Sequence, residues 1–203
     1  KNKIGKKYLS ASRIKTLDTC SWIYWCKYHL GLPDKTNSGA LRGTLCHNIF
    51  ECLLKGRHRK HYDAIMESND ISGSKVIHRY VLSYLRKCEI ETCGKEDFEE
   101  NYDLVNKMIL VGLHQDFFGE GGFIEKPEQD FEIENRKPRY NIKGYIDKPV
   151  QYKDKKVIEV IDYKSSKAKF KGEELASNVQ AMMYTLAAKK LWPKLKKVIV
   201  KFL

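Results

Sequence analysis

The order of hydrophobic periods along the chain predicts a mixed α/β fold, with helices first, then a strand meander, a helix and a closing strand. Through the first half, apolar residues recur at helical spacing. From Glu128 the period shortens, and "EQDFEIE", "YNIKGYIDKPV" and "KVIEVIDYK" read as successive strands. In the third of these, the run "VIEVIDYKSS" carries Asp162 and Lys164 two residues apart. Side chains at i and i+2 of a strand point to the same face, so both should project together. A plain ion pair at the strand end is the simplest use for them.

A length of 203 residues suits one domain, or one with a large insertion, and 42% apolar content supports a buried core. No stretch approaches the roughly 20 apolar residues of a membrane span, and no signal peptide is recognisable. The expectation is a cytoplasmic protein with no membrane partner. The six cysteines then read as thiols, and none stands in a C-x-x-C pair. The chain opens on Lys1, and "KVIVKFL" at its end reads as a strand with no turn after it, as expected of a piece of a longer polypeptide. The net charge of +12 is unevenly placed. Residues 1–88 hold 17 basic and 6 acidic groups (+11), residues 89–134 hold 3 and 14 (−11), and residues 135–203 hold 18 and 6 (+12). Two basic segments around an acidic one suit a polyanion such as nucleic acid.

Taken in order, Ser10 or Ser12 would cap a first helix that Gly31 and Pro33 end. Its aromatics Trp22, Tyr24, Trp25 and Tyr28 suit core packing first and nucleobase stacking second. "GALRGTLCHNIFECLLKG" sets Leu45, Ile49, Cys52 and Leu53 on a helical stripe between Gly43 and Gly56, with His47 and Glu51 one turn apart. Residues 58–75 are polar and read as a loop, with His58 and His61 in a solvated turn. Two more helices follow, with stripes Val76, Tyr80, Tyr84, Cys88 and Tyr102, Val105, Ile109, Leu113. After the meander, "GEELASNVQAMMYTLAAKKL" reads as a helix with the core stripe Leu175, Val179, Met182, Leu186, leaving Gln180 and Tyr184 together on an adjoining face.

"QYKDKK" separates the second and third strands, and a hairpin turning about Asp154 and Lys155 pairs residues whose numbers sum to 309. That register sets Asp147 opposite Asp162. Like charges directly across a sheet destabilise it, so a divalent cation is the economical compensation. Lys164 would then steady an attacking water or the charge that develops on phosphorus. In the simpler reading it only neutralises the acids.

The series "GTLCH", "GYIDKP", "IDYKSS" and "QAMMY" resembles the RecB-like branch of the PD-(D/E)xK nuclease superfamily, which carries G-x-x-x-H, G-x-x-D, D/E-x-K and Q-x-x-x-Y in that order. The likeness covers residues 8–203 and includes "CSWIYWCKYHLGLP", similar to the cysteine-bearing helix before the histidine motif. The resemblance implies a restriction-endonuclease-like core: a mixed central sheet flanked by helices, with a helical N-terminal part and insertion. Residues 1–203 would form one nuclease domain, with N-terminal helices over 1–57, a helical insertion over 58–125 and the catalytic sheet with its Q-x-x-x-Y helix over 126–203. It implies His47, Asp147 and Asp162 as ligands of Mg²⁺ or Mn²⁺, with the Tyr163 carbonyl as a further ligand, and Lys164 as catalytic. Gln180 and Tyr184 would organise the site or hold DNA. Glu128 resembles an acid often found at the start of the first strand, and Glu51 is a candidate partner for His47. Several relatives hold an iron-sulfur cluster through one cysteine before the histidine motif and three after the last strand. Cys20 takes the first place here.

The resemblance thus implies a metal-dependent deoxyribonuclease, an exonuclease of recombination, repair or replication, with DNA and a helicase or recombination protein as partners. A compact Lys-rich form suits a phage or viral enzyme acting in the host cytoplasm. Two other classes stay open: a noncatalytic DNA-binding or scaffolding module that keeps the fold, and a zinc-structured interaction domain. The complete set His47, Asp147, Asp162 and Lys164 favours the enzyme over the first, and the lack of close Cys and His pairs disfavours the second.

Overall fold

The computed structural model describes residues 8–33, 37–92, 97–134, 141–165, 172 and 177–203. In chain order these form β1 (Tyr8–Leu9), α1 (Ala11–Thr19), α2 (Ser21–Tyr28), α3 (Ser38–Leu54), α4 (Arg59–Ser68), α5 (Lys75–Thr92), α6 (Phe98–Leu113) and β2 (Phe123–Ile124). The remainder forms β3 (Gln129–Ile133), β4 (Asn141–Ile146), β5 (Lys148–Tyr152), β6 (Val157–Asp162), α7 (Val179–Leu191) and β7 (Lys197–Phe202). The α/β composition is the one the periods predict, while the predicted first helix is in fact two, α1 and α2, broken at Cys20. Among the described residues no helix is long and apolar enough to cross a membrane. The chain divides into two compact units: described residues up to 33, from 128 to 162 and from 172 to 201 form the first, and those of 37–127, 163–165 and 202–203 the second.

In the first unit β4 lies between β1, which runs parallel to it, and β3, which runs antiparallel. A second sheet sets β5, β6 and β7 side by side. The β5–β6 hairpin has the predicted register: Lys148 faces Ile161 and Tyr152 faces Val157, every pair summing to 309. Its turn closes with Lys156 N–H donating to Lys153 O (3.0 Å), and Lys156 takes a left-handed φ of 52°. Along β6, Ile158 and Val160 are buried while Glu159, between them, meets Lys201 at 2.8 Å. The alternation then stops, and Ile161 and Asp162 are both buried.

The predicted second strand is in fact two. "YNIKGYIDKPV" breaks at Asp147, with β4 in one sheet and β5 in the other. The core beneath gathers Phe131, Ile146, Ile158, Val160, Met183, Tyr184, Ala187 and Ala188. The predicted core stripe of the last helix is therefore displaced: Met182 and Leu186 are about half exposed, at 51% and 50%, and Leu175 lies outside the described residues. The buried face is the one that carries Met183 and Tyr184, with small Ala187 and Ala188 one turn further on letting α7 lie close on the sheet.

In the second unit, Leu45, Ile49 and Leu53 of α3 and Val105, Ile109 and Leu113 of α6 are buried, as predicted. The α5 stripe is again displaced, with Ile77, Val81 and Leu85 joining Cys88 inside while Val76 and Tyr80 are exposed. Tyrosines carry a polar tip that prefers the wet side, which moves the stripe by one position. Residues 58–75 are not a loop: α4 and a 3-10 turn at Ile71–Gly73 occupy most of them, and Ile65 and Ile71 are fully buried. Asp70 caps that turn, accepting from Ser72 N–H (2.7 Å) and from Asn106 Nδ2 (2.8 Å) on α6.

Candidate active site

Asp147 stands where the chain leaves one sheet for the other, and it belongs to two registers at once. The β5–β6 pairing, continued one step beyond Lys148 and Ile161, sets it opposite Asp162. The β3–β4 pairing runs from Gln129 opposite Ile146, and one further step sets Asp147 opposite Glu128. Glu128 N–H indeed donates to Asp147 O at 3.0 Å. Carboxylate oxygens of Glu128 and Asp147 lie within 4.8 Å of one another. Glu128 holds a left-handed φ of 51°, a conformation that a non-glycine residue adopts at a cost and that recurs at functional sites. Glu128 and Asp147 thus meet at one strand junction, and the hairpin register, carried one step past its last pair, leads to Asp162.

Asp162 is only 2% exposed, and its Oδ1 is the hub of a small network. Tyr184 OH donates to it at 2.6 Å and Gln180 Nε2 at 2.8 Å, while Gln180 Nε2 also reaches Tyr184 OH at 2.7 Å. The second carboxylate oxygen, Oδ2, is buried too and takes no part in these bonds. Burial, then the charges of Asp162 and Asp147, push the Tyr184 phenol far above its ordinary pKa, so the hydroxyl stays a donor. A charge-assisted O–H···O⁻ bond of this length is among the stronger kinds. The glycine of "GYID" serves the same end. Gly144 faces Phe131 across β3 and β4, and a Cβ there would lie 2.7 Å from the phenyl ring. That ring meets Tyr184 edge-on at 6.3 Å. The motif glycine lets Phe131 fold over the strand and buttress the tyrosine that holds Asp162.

In the second unit, His47 lies on α3, whose N-terminus Asn37 caps by accepting from Ala40 N–H at 2.8 Å. Its Nε2 is 2.9 Å from Tyr163 O. At that distance Nε2–H can donate to the carbonyl. The same spacing is that of neighbouring ligand atoms on an octahedral ion with bonds of about 2.1 Å. Gly43, one turn earlier, leaves room for the segment that follows Tyr163, since a Cβ on it would come 2.9 Å from Ser165 Oγ. Phe50 stacks near Tyr163, with ring centroids 4.3 Å apart. Burial pushes the Cys46 thiol up to about 12, so the cysteine beside His47 is a packed, unreactive group.

Lys164 lies two residues past the end of its strand. β6 ends at Asp162, so strand alternation does not carry through to Lys164. Its backbone N–H donates to Leu203 O, and its Nζ lies 5.6 Å from the Phe202 ring centroid. Glu51 is ion-paired to Lys55 at 2.7 Å rather than reserved for His47. Cys20 is a half-buried thiol at the junction of α1 and α2. Among the described residues no group of three metal-ligating side chains contains a cysteine. Sequence reasoning passed over Lys148, which follows Asp147 and is fully buried. A buried ammonium is a rarity, and nothing in "IDKP" except its place beside Asp147 signals one.

The divalent ion that this chemistry implies fits the hard carboxylate oxygens of Glu128 and Asp147 at the strand junction of the first unit. The model of the PD-(D/E)XK nuclease superfamily matches residues 8–202. No curated protein matches the chain.

Proposed function

The chain belongs to the PD-(D/E)XK nuclease superfamily, whose members are metal-dependent nucleases acting on DNA, and from that premise we propose that it is a Mg²⁺- or Mn²⁺-dependent exonuclease of DNA recombination or repair. The observation that carries the proposal is the meeting of the Glu128 and Asp147 carboxylates within 4.8 Å where the chain changes sheets, with Asp162 one step beyond the last pair of the hairpin register. Repulsion among the three would cost stability unless a cation shares them. Asp147 and Asp162 are the proposed ligands, His47 and the Tyr163 carbonyl complete the set that the family pattern assigns, and Glu128 supports them. The bound ion supplies Lewis-acid stabilisation of the phosphorane charge and a nucleophilic water at neutral pH.

The chain's own residues do the rest. Tyr184 and Gln180 fix one oxygen of Asp162, so the carboxylate presents the other in a constant direction. Lys164 donates an N–H hydrogen bond from its ammonium to the attacking water or to a non-bridging phosphate oxygen. A basic N-terminal segment and a basic C-terminal third attract the polyanionic substrate. A noncatalytic DNA-binding module is the second reading, and the retention of both acids together with Lys164 disfavours it.

The test is cleavage of end-labelled single- and double-stranded DNA with Mg²⁺, Mn²⁺ or EDTA, for the wild type beside Lys164→Ala. Metal-dependent release of mononucleotides or short products from an end, lost in the variant while its circular dichroism is unchanged, supports the proposal. Intact substrates under every metal, with DNA still bound, would transfer the reading to the binding module. Cuts within circular DNA would keep the nuclease and remove the exonuclease.

A further inference from the structure

We propose that α1 and α2 form a platform for single-stranded DNA, on which bases stack against Trp22 and Trp25. The proposal rests on the DNA-directed reading above and adds a gripping surface separate from the acids.

α2, "SWIYWCKY", is almost wholly apolar, yet none of its residues is buried. Trp22 is 69% exposed and Trp25 47%, and at i and i+3 they share one side of the helix. Trp25 lies flat against His29, with centroids 4.4 Å apart and planes at 17°. Leu17, Ile23, Leu30 and Leu32 extend the exposed apolar surface. Such side chains normally supply core, and a patch of them in the open marks an interaction surface. The arm itself is anchored, because Ala11 and Ile14 of α1 pack on the core of the first unit.

Charge selects the occupant. Residues 1–33 hold seven Lys or Arg against the single acid Asp18. Within the arm the Arg13 guanidinium lies over the Tyr28 ring at 4.8 Å and Lys27 Nζ over the same ring at 5.7 Å. Between the helices a groove of about 330 Å³ is lined by Lys15, Ser12, Thr16, Thr19 and Ile23. Cationic groups interleaved with open aromatic faces are the features that grip a single strand, the cations following the phosphates and the rings taking the bases. Duplex DNA hides its base faces in the stack and offers nothing to the tryptophans. A second copy of the chain, docked by this same surface about a two-fold axis, would set the basic groups against their own copies.

The test titrates the intact chain with oligo(dT) in EDTA, following tryptophan emission so that binding is read without cleavage. A Trp192→Phe background leaves Trp22 and Trp25 as the reporters. The expected result is saturable quenching by oligo(dT) and little by a blunt duplex. Trp22→Ala with Trp25→Ala should weaken binding of a labelled oligo(dT), read by anisotropy, roughly tenfold or more, and Phe at both positions should restore most of it. Lys15→Ala should lower the slope of log K against log salt by about 0.7, the value for one phosphate contact on a single strand. Unchanged emission, equal response to duplex, or full affinity in the double alanine variant would each overturn the proposal, as would tryptophan-dependent self-association without any response to oligonucleotide. Because the readout needs no metal, cleavage without quenching would sink the platform alone, and quenching without metal-dependent cleavage would sink the nuclease reading alone.

Discussion

The acid junction and the α1–α2 arm belong to the same unit and are built in opposite ways. Asp162 is buried, its Oδ1 held by two donors, and the strand that carries it is fixed by a five-pair register. The arm exposes its largest rings and is held mainly through one face of α1. The difference teaches where each kind of work resides. Chemistry at phosphorus requires ligands held within a fraction of an ångström, which buried, cross-strand positions supply. Recognition of a flexible strand requires open aromatic area, which a thinly packed arm supplies at little cost to the core.

The largest expected effect strikes the junction. Asp147→Asn should reduce metal-dependent cleavage by on the order of 10³-fold, as loss of a group that stabilises transition-state charge does, and an assay at saturating substrate measures it. A loss under tenfold would mean that Asp147 does not belong to the site. Next comes a test of whether the junction depends on its packing. Gly144→Val would drive a side chain into Phe131 and should cost about 1–3 kcal/mol of stability, measured by urea denaturation. Tyr184→Phe sharpens the comparison further. Removing the hydroxyl leaves buried Asp162 Oδ1 with one donor fewer, and the expected loss is about 1–3 kcal/mol, with activity down by about tenfold.

The smallest effect lies in the second unit and serves as a control. Hydrogen bonds from Ser72 and Asn106 hold the Asp70 carboxyl below the usual range. A folded pKa below the unfolded value adds stability that is present above about pH 3.9 and fades as pH falls through the folded value. Asp70 is partly exposed, so after solvent screening the contribution should stay under about 1 kcal/mol. Asp70→Asn should lower Tm slightly at pH 7, by less as pH falls below about 3.9, without moving the metal dependence of cleavage. A change in that dependence would mean that Asp70 influences the metal ligands.

Much of the junction was legible in the sequence because a short hairpin leaves little freedom. Two strands joined by "QYKDKK" have few registers, and the one summing to 309 also buries Ile158 and Val160. The pairing of Glu128 with Asp147 was not legible, since it spans β3 and β4, whose connecting segment gives no comparable turn signal. The helices show the opposite limit. Bulk alone assigns Val179, Met182 and Leu186 to the core, whereas close approach to a sheet selects Ala187 and Ala188. Lys164 was placed by strand alternation, and the strand itself ends at Asp162. The aromatic run in α2 was assigned chiefly to packing because exposure of two tryptophans is not a property that composition reveals.

The central claim is that mutual repulsion at the junction is relieved by a divalent ion, and thermal unfolding with and without metal tests it most directly. For the wild type, Mn²⁺ or Mg²⁺ at 100 times its Kd should stabilise the fold by about 2.7 kcal/mol relative to EDTA. Asp162→Asn removes one of the opposed buried charges, so it should raise Tm in EDTA and abolish most of the metal-induced rise. A variant that is less stable than the wild type in EDTA and still gains the full rise with metal would contradict the account, because Asp162 would then be neither a strained charge nor a ligand.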